Sequence, residues 1–156
     1  MKLKILAVGQ KMPSWVSSGY KEYEKRMPRE CSLELVEIQP AKRTKQSNLA
    51  KVTEEEGKKI LSSIKDSDYV VALEVMGKQW STATVAKKLS TWQGVNPSII
   101  FLIGGPDGLS DACLQRANEQ WCLSQLTFPH PLVRIILAEQ LYRGWSLMNN
   151  HPYHRE

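Results

Sequence analysis

The run Ile99-Ile100-Phe101-Leu102-Ile103, followed by Gly104-Gly105-Pro106-Asp107-Gly108, limits the possible folds of this chain more than any other stretch. An apolar run without polar alternation cannot form a strand with one wet face. It reads instead as a strand covered on both sides, the situation in a parallel sheet between helical layers. The glycines place a sharp turn at the carboxyl end of that strand. Open α/β sheets hold ligands there, and only glycine lets backbone groups come close to one. The turn lacks the Lys-Ser/Thr of a P-loop and does not follow G-x-G-x-x-G, so it is neither nucleotide motif. On local sequence, a purely structural turn and a cofactor-binding turn both fit.

Around this element the periodicity alternates between strand and helix. Lys2 to Gly9 reads as a first strand. Trp15, Val16, Gly19, Tyr20, Tyr23 and Met27 then recur at spacings of three and four, which predicts an amphipathic helix from Pro13 to Met27. Ser32 to Ile38 is a second strand. Thr53 and Glu56 have capping-box spacing, and Glu54 with Lys58 and Glu55 with Lys59 are i,i+4 pairs. A mostly solvated helix is expected from there to about Ile64. Asp68 to Glu74 gives a third strand, a loop around Gly77 follows, and Ser81 opens a helix that turns Val85, Ala86, Leu89 and Trp92 inward. A turn from Gly94 to Pro97 leads into the strand Ser98 to Ile103. A short helix from Ser110 to Asn118, a fifth strand from Trp121 to Leu126 and a last helix beginning at Pro131 complete the order. This alternation predicts a single α/β domain over residues 1–156, with a mainly parallel sheet flanked by helices.

In the last helix Val133, Ile135, Leu137, Ala138, Leu141, Tyr142, Trp145 and Met148 cover more than half the circumference. A narrow polar stripe of Glu139, Arg143, Ser146 and Asn150 remains. Such a helix either sits deep in the core or meets a partner, most simply a second copy in a two-fold homodimer.

At 156 residues the chain can bury a core without disulfides or metal. Cys31, Cys113 and Cys122 are odd in number and form no CxxC pair, which suits reduced thiols in a cytoplasmic protein. The apolar stretch Ile5 to Val8 is too short for an export signal, and no segment has the length of a membrane span. The formal net charge is +5. Lys42, Arg43 and Lys45 cluster in one loop, and Arg134, Arg143, His151, His154 and Arg155 toward the carboxyl end. Two basic regions suit a grip on a phosphate backbone, although a solvated loop and a charged tail give the same pattern.

His151-Pro152-Tyr153-His154, with His130, could be imagined as a zinc site, but the proline breaks helical presentation and no cysteine or carboxylate is suitably spaced. A tail joining an aromatic ring, an imidazole and a guanidinium suits RNA better, with a disordered terminus as the bland alternative. No G-x-S-x-G elbow is present, and no serine has a nucleophile's context.

The segments LIGGPDGLS, LTFPHPLVRIILAEQLYRGWS and NNHPYHRE, with the opening KLKILAVGQKMPSWV and YEKRMP, resemble the large-subunit ribosomal RNA methyltransferase H family, small SPOUT-class enzymes. The resemblance runs the length of the chain. It implies an α/β fold with a carboxyl-terminal trefoil knot, which periodicity could not have suggested. It also implies a homodimer that methylates N3 of a pseudouridine in 23S rRNA on the assembled ribosome, using S-adenosylmethionine, with no membrane and no DNA partner. Carried over by motif, the cofactor pocket comprises Leu73, Gly104, Leu123, Ser124, Gln125, Leu126, Thr127 and Phe128. For the chemistry, His154 is the candidate base, Arg155 or Arg143 the electrostatic stabiliser, and Tyr153 the residue that stacks on or orients the target. A ribosome-binding protein of the same fold without catalysis, and a tRNA methyltransferase of a related class, are the competing readings.

Overall fold

The computed structural model describes residues 1–96 and 98–154. Its strands are β1 (Lys2–Val8), β2 (Ser32–Ile38), β3 (Tyr69–Gln79), β4 (Ser98–Ile103) and β5 (Glu119–Cys122). Its helices are α1 (Ser14–Glu24), α2 (Leu49–Ser62), α3 (Thr82–Val95), α4 (Asp111–Arg116) and α5 (His130–Met148). The strands form one sheet in the order β2-β1-β4-β3-β5, and every pair of neighbours is parallel. Because β4 inserts between β1 and β3, the carboxyl ends of β4, β3 and β5 lie side by side.

The period of two along each strand divides the core. Leu3, Ile5 and Ala7 of β1 and Ile99, Phe101 and Ile103 of β4 join the layer that contains α1, α3 and α5. Leu6, Val8, Ile100 and Leu102 join the opposite layer with α2 and α4. The unalternating runs therefore mean what they were expected to mean: both faces are covered. No helix among the described residues is long and apolar enough to cross a membrane.

Several expectations need correction. The capping box does not open α2. Asn48 does, its Oδ1 accepting from Ala50 N at 2.9 Å and Lys51 N at 3.4 Å, while Thr53 donates its hydroxyl to Ala50 O inside the helix. Glu56, expected at the cap, is 1% exposed. Gly77 is no loop: β3 runs on to Gln79 and pairs again with β5 after a register shift between Leu73 and Lys78. A Cβ at Gly77 would lie 2.6 Å from the Gln120 backbone, so the glycine serves close strand approach. α3 continues through Gly94 to Val95, and Pro97, the end of the expected turn, lies outside the described residues. β5 ends at Cys122, because Ser124 turns the chain away, its Oγ accepting from Leu126 N at 3.0 Å.

α5 lies between α1 and α3 against the sheet, so its broad apolar surface is largely taken up within the chain. Of its expected polar stripe only Asn150 is exposed. Ser146 is fully buried, and Glu139 and Arg143 are half-buried and paired with each other at 3.0 Å.

Candidate functional site

A cleft of about 510 Å³ opens at the carboxyl ends of β3, β4 and β5 and is closed on one side by the start of α5. Leu73, Gly104, Leu123, Ser124, Leu126, Thr127 and Phe128 all line it. Gln125, of the same expected set, is exposed and lies off the wall. Its size is that of a small-molecule site.

The glycine turn forms one wall because its geometry leaves no choice of residue. Gly108 has φ +81° and donates its N–H to Gly105 O at 3.0 Å. A Cβ on Gly104 would fall 2.6 Å from the Gly108 carbonyl carbon. Leu73, Ile103, Leu109, Phe128 and Val133 make much of the remaining wall apolar, while Glu74 and Asp107 contribute carboxylates. Asp107 is paired with Arg43, so an apolar slot with one carboxylate left unpaired among the described residues, Glu74, suits a flat heterocycle joined to a cationic chain.

Two orphaned polar atoms add to this picture. Trp121 Nε1 and His130 Nδ1 are buried without a hydrogen-bond partner among the described residues, and both residues line the cleft. Burial holds the His130 imidazole below its ordinary range, and the nearby Arg134 and Arg43 add to the effect against Glu56. A neutral imidazole keeps one donor and one acceptor for whatever enters. Glu74, Asp107 and His130 were not among the expected site residues. The signals were slight: Asp107 sits in the glycine turn, Glu74 ends an apolar strand, and His130 follows Phe128 by two positions.

The basic residues do not behave as a phosphate-gripping set. Arg134 is 1% exposed, with Nη1 donating to Glu37 at 2.7 Å and Nη2 to Gly9 O at 2.9 Å. Arg43 is bound by Glu56 at 2.9 Å and Asp107 at 2.7 Å. Lys42 and Lys45 remain exposed. Burial of Arg134 and pairing of both arginines answer to residues far away in sequence, which the local charge pattern cannot register.

The expected catalytic residues lie elsewhere. α5 ends in a Schellman turn: Asn150 takes φ +53°, Asn150 N–H donates to Leu147 O and His151 N–H to Ser146 O. The chain then runs back along the helix. Tyr153 donates its hydroxyl to Glu139 Oε2 at 3.2 Å, its ring centroid is 4.6 Å from that of Tyr142, and the Arg143 guanidinium lies 5.1 Å from it. His154 Nδ1 is 2.8 Å from Ser146 Oγ. Burial, the Tyr23 hydroxyl and Glu139 push the Tyr153 phenol far above its ordinary value, so it stays protonated. Residues 151–154 thus cap an aromatic cluster of Tyr23, Tyr142 and Trp145. Arg155 lies outside the described residues.

None of Arg143, Tyr153 and His154 lines the cleft. Their anchor points Glu139 and Ser146 stand about 9 and 20 Å farther along α5 than Val133 of the cleft wall, on the other side of the helix. The three histidines are divided in the same way, so the imagined zinc set is not assembled. Among the described residues, the expected cofactor residues do not meet Arg143, Tyr153 and His154 within one chain.

Comparison with known proteins gives a consistent result. A family model described as "Predicted SPOUT methyltransferase" matches residues 1–154. The ribosomal RNA large subunit methyltransferase H of Methylococcus capsulatus is 54% identical over 155 residues, covering 99% of this chain and 100% of that protein. That of Hahella chejuensis is 54% identical over 156 residues and 100% of both chains. Among solved structures, one described as a "probable methylase family protein" from Haemophilus influenzae aligns with a TM-score of 0.59 at 12% identity, over 97% of this chain and 67% of that one, a likeness of fold alone.

Proposed function

Because the chain belongs to the SPOUT methyltransferase family and, within it, to the ribosomal RNA large subunit methyltransferase H family, we propose that it uses S-adenosylmethionine to methylate N3 of a pseudouridine in a hairpin loop of 23S rRNA. It does so as a homodimer on the assembled ribosome. The carboxyl-terminal trefoil knot and the cytoplasmic location implied by the resemblance belong to the same proposal.

The observation that carries the reading is the division of the site across α5. The cleft has walls suited to S-adenosylmethionine, and the tail has residues suited to an imide, yet one chain keeps them apart. A two-fold pair supplies what one chain lacks, the cleft of one subunit facing the tail of the other.

When bound, S-adenosylmethionine supplies a methyl group activated on a sulfonium. The strand ends bearing Leu73, Gly104 and Leu123 to Phe128 would hold it, with Glu74 giving the cleft a negative potential that favours its cationic part. Methylation of an imide nitrogen requires that its proton leave. His154 is the group for this: with Nδ1–H donated to Ser146 Oγ, Nε2 carries the lone pair that accepts the N3 proton. Arg143 stabilises the negative charge that develops on the imide oxygens, and Arg155 is assigned the same role. Tyr153, kept protonated, orients the base through its ring and hydroxyl. Lys42 and Lys45 face solvent for phosphate contact.

The test is transfer of a tritiated methyl group from S-adenosylmethionine to ribosomes lacking the modification, with uridine or pseudouridine at the target and free rRNA as comparison. Label on N3 of pseudouridine in the particle is the expected result. Particle binding without heat of S-adenosylmethionine binding would favour the non-catalytic reading. Label on tRNA would favour the related class.

A further inference from the structure

Arg43 is tied to two separate parts of the fold. Its Nη1 and Nη2 donate to the two oxygens of Glu56 at 2.9 and 3.2 Å, and Nη1 also reaches Ala41 O at 3.2 Å. Glu56 is 1% exposed and accepts from Ala41 N at 3.0 Å, so this carboxylate is a fixed anchor within α2. From the anchor, Arg43 Nε donates to Asp107 Oδ2 at 2.7 Å.

Asp107 belongs to the glycine turn. Of the residues 104–108 it alone carries a side chain able to hydrogen-bond, the others being glycine or proline. The turn is closed internally by Gly108 N–H to Gly105 O, but that bond sets its shape and not its placement against the rest of the molecule. A Cβ on Gly105 would come within 3.1 Å of Val8 Cγ1 and 3.6 Å of Arg43 Nη2, so the guanidinium lies directly against the turn. A planar fork with donors on two edges can serve Glu56 and Asp107 together. A lysine ammonium, a single point on a flexible stem, cannot hold both in this geometry.

We propose that Arg43 is a positioning residue for the cofactor: anchored on the buried Glu56, it holds Asp107 and so fixes the glycine turn as a wall of the cleft. This rests on the cleft being the S-adenosylmethionine site. It gives the arginine a task different from the phosphate contact that its place in a basic loop suggests.

The experiment compares wild type, Arg43→Lys, Asp107→Asn and the double variant. Titration calorimetry with S-adenosylmethionine is run beside binding of a 23S rRNA hairpin oligonucleotide at one salt concentration and thermal melting. Arg43→Lys keeps a cation opposite Glu56 and the charge of the loop, so folding and RNA affinity stay at wild-type levels. Each single variant binds S-adenosylmethionine about tenfold more weakly, the scale of one charge-assisted hydrogen bond, and the double variant no more weakly than the singles.

Wild-type cofactor affinity in Arg43→Lys, losses that multiply in the double variant, or a loss confined to RNA binding each overturns the inference alone. Wild-type protein that gives no heat with S-adenosylmethionine while melting cooperatively overturns the cofactor reading, and the inference with it.

Discussion

Replacing Gly104 by alanine should damage the cleft and spare the sheet. The added methyl would meet the Gly108 carbonyl carbon at 2.6 Å, its oxygen at 2.8 Å and Leu109 N at 2.9 Å, all backbone atoms, whereas ordinary contact begins at 3.4 Å. Relief of the worst contact needs the turn to move by about 0.8 Å, the difference between 3.4 and 2.6 Å. Forcing an extra methyl into a packed site costs about 1–3 kcal/mol. β4 ends at Ile103, so the turn can yield without unpairing a strand, and the cost falls on the wall it forms. At about 1.4 kcal/mol per decade, S-adenosylmethionine should bind about 5–150-fold more weakly. Calorimetry and thermal melting of the same samples read the two effects separately. Gly94→Ala is the comparator: a Cβ there meets nothing within 4 Å inside α3, so the change should stabilise by about 0.5–1 kcal/mol and leave binding untouched. Wild-type affinity in Gly104→Ala would refute the assignment of the turn to the cofactor wall.

Three further outcomes follow from the same structure. Glu37→Ala removes the carboxylate from Arg134 Nη1 and leaves Nη2 on Gly9 O, and should cost about 1–3 kcal/mol in a denaturant titration; a loss below about 0.5 kcal/mol, the surface range, would contradict the pairing. Burial pushes the Cys31 thiol from 9.0 up to about 11, so the unfolded chain loses this proton first and stability falls as pH rises from about 9 toward 11. The fall should be about 2–3 kcal/mol, fully regained below pH 9 and absent from Cys31→Ala, and parallel curves for the two proteins would refute it. Deleting residues 151–156 should abolish methyl transfer with cofactor affinity intact, whereas equal loss of both would make the tail part of the cofactor site of its own chain.

The sheet was legible where burial on both faces suppresses alternation. Ser98–Ile103 is a strand with the bounds its apolar run indicated, and the glycines after it lie on the cleft. Residues whose role is set by distant partners were not legible. Arg134 reaches Glu37 across 97 positions and Arg43 reaches Asp107 across 64, so each looked like a surface cation. Gly77 read as a turn because glycine is equally permissive in turns and where backbones nearly touch, and only the neighbouring Gln120 distinguishes the two. At α2 the capping-box spacing of Thr53 and Glu56 misplaced the helix start. Asn48 caps it, and Glu56 then lies in the core beneath Ala41 and Arg43 instead of at the helix start. The motifs of the tail did not reveal its side of α5, which the left-handed Asn150 decides.

Mixing two impaired chains asks whether cleft and tail work across a pair of subunits. One chain carries Gly104→Ala with an intact tail, and the other ends at Asn150 with an intact cleft. With S-adenosylmethionine held near the wild-type Kd, well below that of Gly104→Ala, the first alone should transfer little methyl group to ribosomes and the second none. Co-assembled and purified as a mixed pair, they join a sound cleft to a sound tail, and methyl transfer to 23S rRNA should return. A mixed pair that forms, binds S-adenosylmethionine and still transfers nothing would mean that the two halves do not meet across subunits.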